Sequence, residues 1–170
     1  MTAESDATRG EVRVVQPGEA ERHWQPVPAN GSIAVHLAPD LVRMEHPLGL
    51  GTQTVPPGSY VREHSHDRNE EVIHCVSGGG CAMLDGVAHR MVPGTTIFLG
   101  RNRRHMFIND GTAELVFVWL IVPNGLETFF RAIGRPVVPG APDPTPFPRP
   151  ADVLAIEART VFAPPPGGAA

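Results

Sequence analysis

Three histidines and one glutamate carry the chemistry of this sequence. His64 and His66 stand on either side of a serine, Glu71 follows five positions after His66, and His105 lies in a separate segment. The first two sit in a stretch rich in strand formers, and strand positions i and i+2 share a face, so both rings can aim at one point. Glu71 begins the apolar run Val72-Ile73, which suits an inward-facing strand position. Adjacent strand residues face opposite sides, so only one of Glu70 and Glu71 can turn inward. The apolar company favours Glu71, with Glu70 as the alternative. Neutral imidazoles plus a carboxylate form a mixed nitrogen and oxygen donor set, which fits a first-row divalent transition metal better than calcium or magnesium.

Short β-like runs must hold these groups in place. They cover Ser32 to Leu37, Leu41 to Glu45, Thr52 to Val55, Tyr60 to His66, Val72 to Val76, Cys81 to Leu84, Ala88 to Val92, Thr96 to Leu99, His105 to Ile108 and Leu115 to Val122. Glycines and prolines, 18 and 19 in all, punctuate the runs. Many short strands between turn signals indicate an all-β antiparallel sandwich or barrel. Ser77 to Gly80 and Leu84-Asp85-Gly86 suit hairpin turns. After Pro123 the period changes: Leu126, Phe129, Phe130 and Ile133 form the stripe of a short amphipathic helix. Asn124 and Glu127 suggest a capping box, and Gly134 a stop. Residues 136–150 read as a proline-rich connector wrapped over the barrel, and 150–159 as a second short helix. The organisation expected is a flexible N-terminus (1–10), a barrel (11–123), C-terminal helices with the Pro-rich wrap (124–162) and a flexible tail (163–170).

Strand parity nominates further residues. Arg62 and Tyr60 share parity with His64, so either can reach a pocket, Arg62 to bind an anionic or oxygenated substrate. Phe107, two past His105, suits the pocket wall, and Trp119, Phe117, Met44 and Met83 are expected to line the barrel. Cys75 shares the parity of Glu71 and reads as a buried structural thiol. The remaining histidines (His23, His36, His46, His74 and His89) are expected at the surface or behind the site.

Composition narrows the partners. The formal net charge is -4, so no basic face invites nucleic acid or an anionic membrane. No apolar run approaches the roughly 20 residues of a membrane span. A polar N-terminus unlike a signal peptide, and two cysteines without redox or zinc spacing, lead us to expect a cytoplasmic protein.

The pattern Gly58-x5-His64-x-His66-x4-Glu71-x6-Gly78 resembles the first motif of the cupin superfamily, position by position. In a second motif Gly94, His105 and Asn109 fall in register, while Gly100 stands where proline is usual and Asn102 where glycine is usual. The chain is similar to small single-barrel cupins of the quercetin-dioxygenase-like kind. That resemblance implies a β-jelly-roll barrel with one or two short C-terminal helices. It also implies one metal ion (iron, manganese, nickel, cobalt, copper or zinc) held by His64, His66, Glu71 and His105. Four protein ligands around an ion that accepts five or six would leave positions for substrate or dioxygen. The expected activity is that of a dioxygenase of a small oxygenated, aromatic or enol-type substrate, with Glu71 as ligand and base. The alternatives are an isomerase, lyase or hydrolase using the metal as Lewis acid, or a binding module without catalysis. Similar proteins are commonly homodimers, and exposed sheet edges favour self-association. A homodimer using residues 10–46 is therefore expected.

Overall fold

The computed structural model describes residues 9–164. In chain order its elements are β1 (Glu21–Trp24), β2 (Ser32–Leu37), β3 (Gly49–Val55), β4 (Tyr60–His64), β5 (Glu70–Ser77), β6 (Gly80–Leu84), β7 (Val87–Met91), β8 (Thr96–Leu99), β9 (His105–Ile108), β10 (Leu115–Val122), α1 (Leu126–Ile133), β11 (Arg135–Pro136) and α2 (Val153–Ala158). One sheet runs β11-β1-β2-β3-β10-β5-β8 and the other β4-β9-β6-β7. All pairings are antiparallel, as expected of a β-jelly roll.

Alternating side chains turn these strands into a core. In β10, Leu115, Phe117, Trp119 and Ile121 are buried at alternate positions, between β3 and β5. Each large apolar side chain so buried contributes roughly 1.5–3 kcal/mol. Gly78 ends β5 with φ 76°, and a Cβ there would lie 2.0 Å from the Glu114 carbonyl oxygen. Both the left-handed backbone and the close approach require glycine.

Several expectations are corrected. Leu41 to Glu45 is not a strand: the amides of Leu41 and Val42 turn back onto the Ala38 carbonyl at 2.9 and 3.1 Å, just past Pro39. Met44 is consequently half-buried in a loop instead of lining the barrel. Met83 is also displaced, because Ala82 takes the inward position of β6 and Met83 faces the other way. β1 and β11 were not expected from the sequence. β11 is two residues long and ends in Pro136, which lacks an N–H and is tolerated here at the sheet edge. The first eight residues and the last six of the expected flexible ends fall outside the described residues.

α1 buries its apolar stripe against the core, Phe130 packing on Trp119 of β10. Its N-cap is Gly125, not Asn124. Glu127 accepts the Gly125 N–H at 2.9 Å and the Asn124 side-chain amide at 2.5 Å, a variant of the expected box. Gly134 ends the helix with extended φ, so its role is close approach: a Cβ would sit 2.7 Å from the Phe130 oxygen and 2.8 Å from the Trp24 oxygen. Arg131 fixes α1 to the sheet through a bidentate pair with Glu21, at 3.0 and 2.7 Å, and a contact to Asp40 at 3.0 Å. The proline-rich connector returns along β1, with the Val27 N–H donating to the Phe147 carbonyl at 2.9 Å. Among the described residues no helix is long and apolar enough to cross a membrane.

Candidate metal centre

The four side chains singled out in the sequence meet between the two sheets. β4 and β9 bring His64 directly opposite His105, β5 supplies Glu71 from the facing sheet, and His66 follows the end of β4. Their candidate donor atoms all lie within 4.8 Å of one another. His66, Glu71 and His105 are 3%, 4% and 1% exposed, whereas Glu70 points to solvent. None of the other five histidines joins this cluster.

Backbone carbonyls fix the direction of each ring. Nδ1 of His64, His66 and His105 lies 2.8, 2.9 and 2.9 Å from the carbonyl oxygens of Arg62, Val161 and Arg103. A carbonyl only accepts, so each Nδ1 carries the hydrogen and each Nε2 presents its lone pair. The Glu71 Oε2 lies 3.4 Å from His66 Nε2 and 3.2 Å from His105 Nε2. Neither contact has hydrogen-bond geometry, and all three atoms are buried without a partner among the described residues.

Three lone pairs and a carboxylate that converge in the interior need a positive charge between them. Burial, then the charges of His105 and His66, push His64 well below the ordinary histidine range, so it is neutral at pH 7. Burial alone would raise the Glu71 carboxyl. The close approach of the His105 and His66 rings outweighs it and holds the group well below its usual range. A divalent cation would supply that charge without extra protons. The donor set therefore fits a transition metal, with the carbonyls as the outer partners that orient metal-bound imidazoles.

The departures in the second motif are accommodated locally. Asn102 adopts φ 62°, which asparagine tolerates, and its N–H donates to the His66 carbonyl at 2.7 Å. Asn109, fully buried, donates to the carbonyls of Val55 and Ala113 and accepts from the Gly111 N–H. It ties the turn after β9 to β3.

An apolar cavity adjoins the cluster. Its walls include His64, Glu71, Phe107, Phe117, Trp119 and Phe129, with Arg62 and Arg149 among the charged residues. The free space is about 60 Å³, room for roughly four waters. A ring enters only if the wall gives way. Phe107, Trp119 and Arg62 are thus brought to the cavity, but Tyr60 is not; it is 38% exposed. The reason is a β-bulge: Val61 opposes Phe107 and His64 opposes His105, so three steps along β4 match two along β9. The bulge reverses parity, and Val61 faces the cavity in place of Tyr60.

Sequence reasoning missed the residues supplied by the C-terminal segment. Phe162 packs on His64, His66 and Phe129, with ring centroids at 5.2, 5.3 and 4.4 Å. The Ala163 N–H donates to the Ser65 carbonyl at 2.8 Å, and Arg68 donates to the Thr160 carbonyl at 3.1 Å. Apart from the contact with Phe129, these span more than ninety positions, and nothing local in the sequence announces them. Cys75, by contrast, is fully buried as expected, and burial pushes its thiol up.

The sequence model of the cupin domain matches residues 51–121. Protein SchB of Streptomyces halstedii is 31% identical over 74 residues, 44% of this chain and 54% of that protein. Quercetin 2,3-dioxygenase of Bacillus subtilis (strain 168) is 28% identical over 81 residues, 48% of this chain and 24% of that enzyme. The chain thus spans about half of one curated relative and a quarter of the other. Among solved structures, the polyketide cyclase RemF from Streptomyces resistomycificus superposes with a TM-score of 0.58 at 17% identity, covering 66% of this chain and 80% of that one. At such identity the likeness is one of fold. The two sheets and the motif spacing agree with that match, and residues 51–121, which carry all four side chains, are the stretch that matches a cupin domain.

Proposed function

We propose that His64, His66, Glu71 and His105 hold one divalent transition metal ion, and that the chain is a dioxygenase of a small aromatic or enolic compound. One observation carries the metal reading: three imidazoles donate Nδ1–H to carbonyls, so their Nε2 lone pairs converge with a carboxylate, and Nε2 of His66, Nε2 of His105 and Oε2 of Glu71 are buried without a partner. When bound, the ion would supply Lewis acidity and open coordination positions. Glu71 is the anionic ligand and lies beside the cavity, where it would accept the hydroxyl proton of an entering substrate. Phe107, Trp119, Phe129 and Phe162 would exclude water and hold a flat ring. Similarity to quercetin 2,3-dioxygenase supports the use of dioxygen.

A second reading is metal-dependent isomerase, lyase or hydrolase chemistry without dioxygen, favoured by fold likeness to a protein named as a polyketide cyclase. Oxygen uptake by the purified protein with flavonols, catechols and 1,3-diketones separates the two. Oxygen consumed in step with substrate supports the dioxygenase. Equal turnover under anaerobic conditions replaces it with the second reading, and binding without turnover leaves a non-catalytic module. We also propose a homodimer formed through residues 10–46. Light scattering that gives a monomer at micromolar concentration would refute it.

A further inference from the structure

Two arginines beside the cavity share one carboxylate. Arg62 on β4 and Arg149 on the connector both line the cavity and the outer pocket next to it. Nη2 of each donates to the same atom, Oε1 of Glu157 on α2. All three side chains are largely buried, at 31%, 23% and 12% exposure. The neighbouring acids are committed elsewhere: Glu63 pairs with Arg104, and Glu71 belongs to the metal cluster. One positive charge is left over. Two partly desolvated guanidiniums facing one carboxylate repel each other, and burial together with the charge of Arg62 lowers Arg149 to about 10.

The surplus charge sits within reach of the rings. The Arg62 guanidinium carbon lies 5.3 Å from the centroid of Phe162, which packs in turn on His64 and Phe129. Guanidiniums bind carboxylates through paired N–H donors and tolerate aromatic faces, so a ring and an anion can be held side by side. We propose that the substrate is an aromatic carboxylate, its carboxylate held by Arg62 and Arg149 and its ring against Phe162 and Phe129. This rests on the metal-enzyme reading of the same site and adds the charge of the substrate.

The test compares benzoate with its neutral isostere benzamide by calorimetric titration, in the protein as purified and after chelation. Benzoate is expected to bind at least about tenfold more tightly than benzamide, the size of one charge-assisted contact. Arg149→Gln should remove that preference in both forms, weakening benzoate far more than benzamide, with metal content unchanged. Glu157→Gln frees both guanidiniums and should tighten benzoate several-fold, whereas a merely structural tie would give looser binding or none. Equal binding of the two probes, no binding of either, or weaker benzoate binding by Glu157→Gln overturns the proposal. A protein purified without metal would sink the enzyme reading instead, and the benzoate preference after chelation can still be read.

Discussion

Replacing Phe162 with alanine should loosen the segment from residue 159 to 163 over the histidine cluster while leaving the barrel folded. Phe162 is 8% exposed and touches three rings and one guanidinium. Truncating a buried phenylalanine costs about 3–5 kcal/mol. Here the ring lies under a single strap of chain, and Arg62 and Phe129 can relax into the gap, so the lower figure applies. Beside the buried Val161 side chain, the remaining polar ties are three hydrogen bonds, to Ser65, from Arg68 and from His66. At about 1 kcal/mol net each, they hold the segment about as strongly as the ring does. Losing about 3 kcal/mol raises the population of the open segment roughly a hundredfold. Hydrogen exchange reads this directly: the Ala163 amide should exchange about a hundredfold faster, while the amides of β10 keep their protection. An unchanged Ala163 rate would refute the reasoning. So would equal acceleration in β10, since Phe162 would then belong to the global core.

Three further outcomes follow from single groups. Asn109→Ala strands two carbonyls and one N–H in the interior, at a cost of about 2–4 kcal/mol. Calorimetry should show a melting point lower by roughly 5–15 °C, and an unshifted one would contradict the assigned role. His64 has a folded pKa well below the 6.5 of the unfolded chain, so between those values the unfolded state binds the extra proton. The metal-free protein should lose stability as pH falls below about 6.5 and gain none from this group above it. The difference from His64→Gln in urea titrations isolates the slope, and no difference would count against burial of a neutral ring. Arg131→Ala breaks the tie of α1 to Glu21 and Asp40. Because these acids are 37% and 57% exposed, about 1 kcal/mol or less should be lost.

Where periodicity speaks for itself, the sequence is a good guide. β2, β8, β9, β10 and α1 have the expected bounds because their alternating or helical stripes face a core. His64, His66 and Glu71 were legible because their spacing is local, and His105 because it opens a separate strand-like segment. Tyr60 misled for a physical reason: one extra residue in a bulge flips every side chain before it, and no propensity marks that residue. Leu41 to Glu45 has strand-like residues, but Pro39 and Pro47 bracket it too closely for pairing. Phe162 and Arg149 were hidden because their role exists only after the tail has folded back. The contact from Arg62 to Glu157 spans 95 positions, as does that from His66 to Val161.

Elemental analysis of the purified protein, beside His105→Ala and Glu71→Gln, tests the central claim most directly. One equivalent of a first-row transition metal per chain is expected in the parent and far less in both variants, with the strand content of each unchanged by circular dichroism. A parent that binds no such metal, or a His105→Ala protein that keeps a full equivalent, would contradict the assignment of these four side chains.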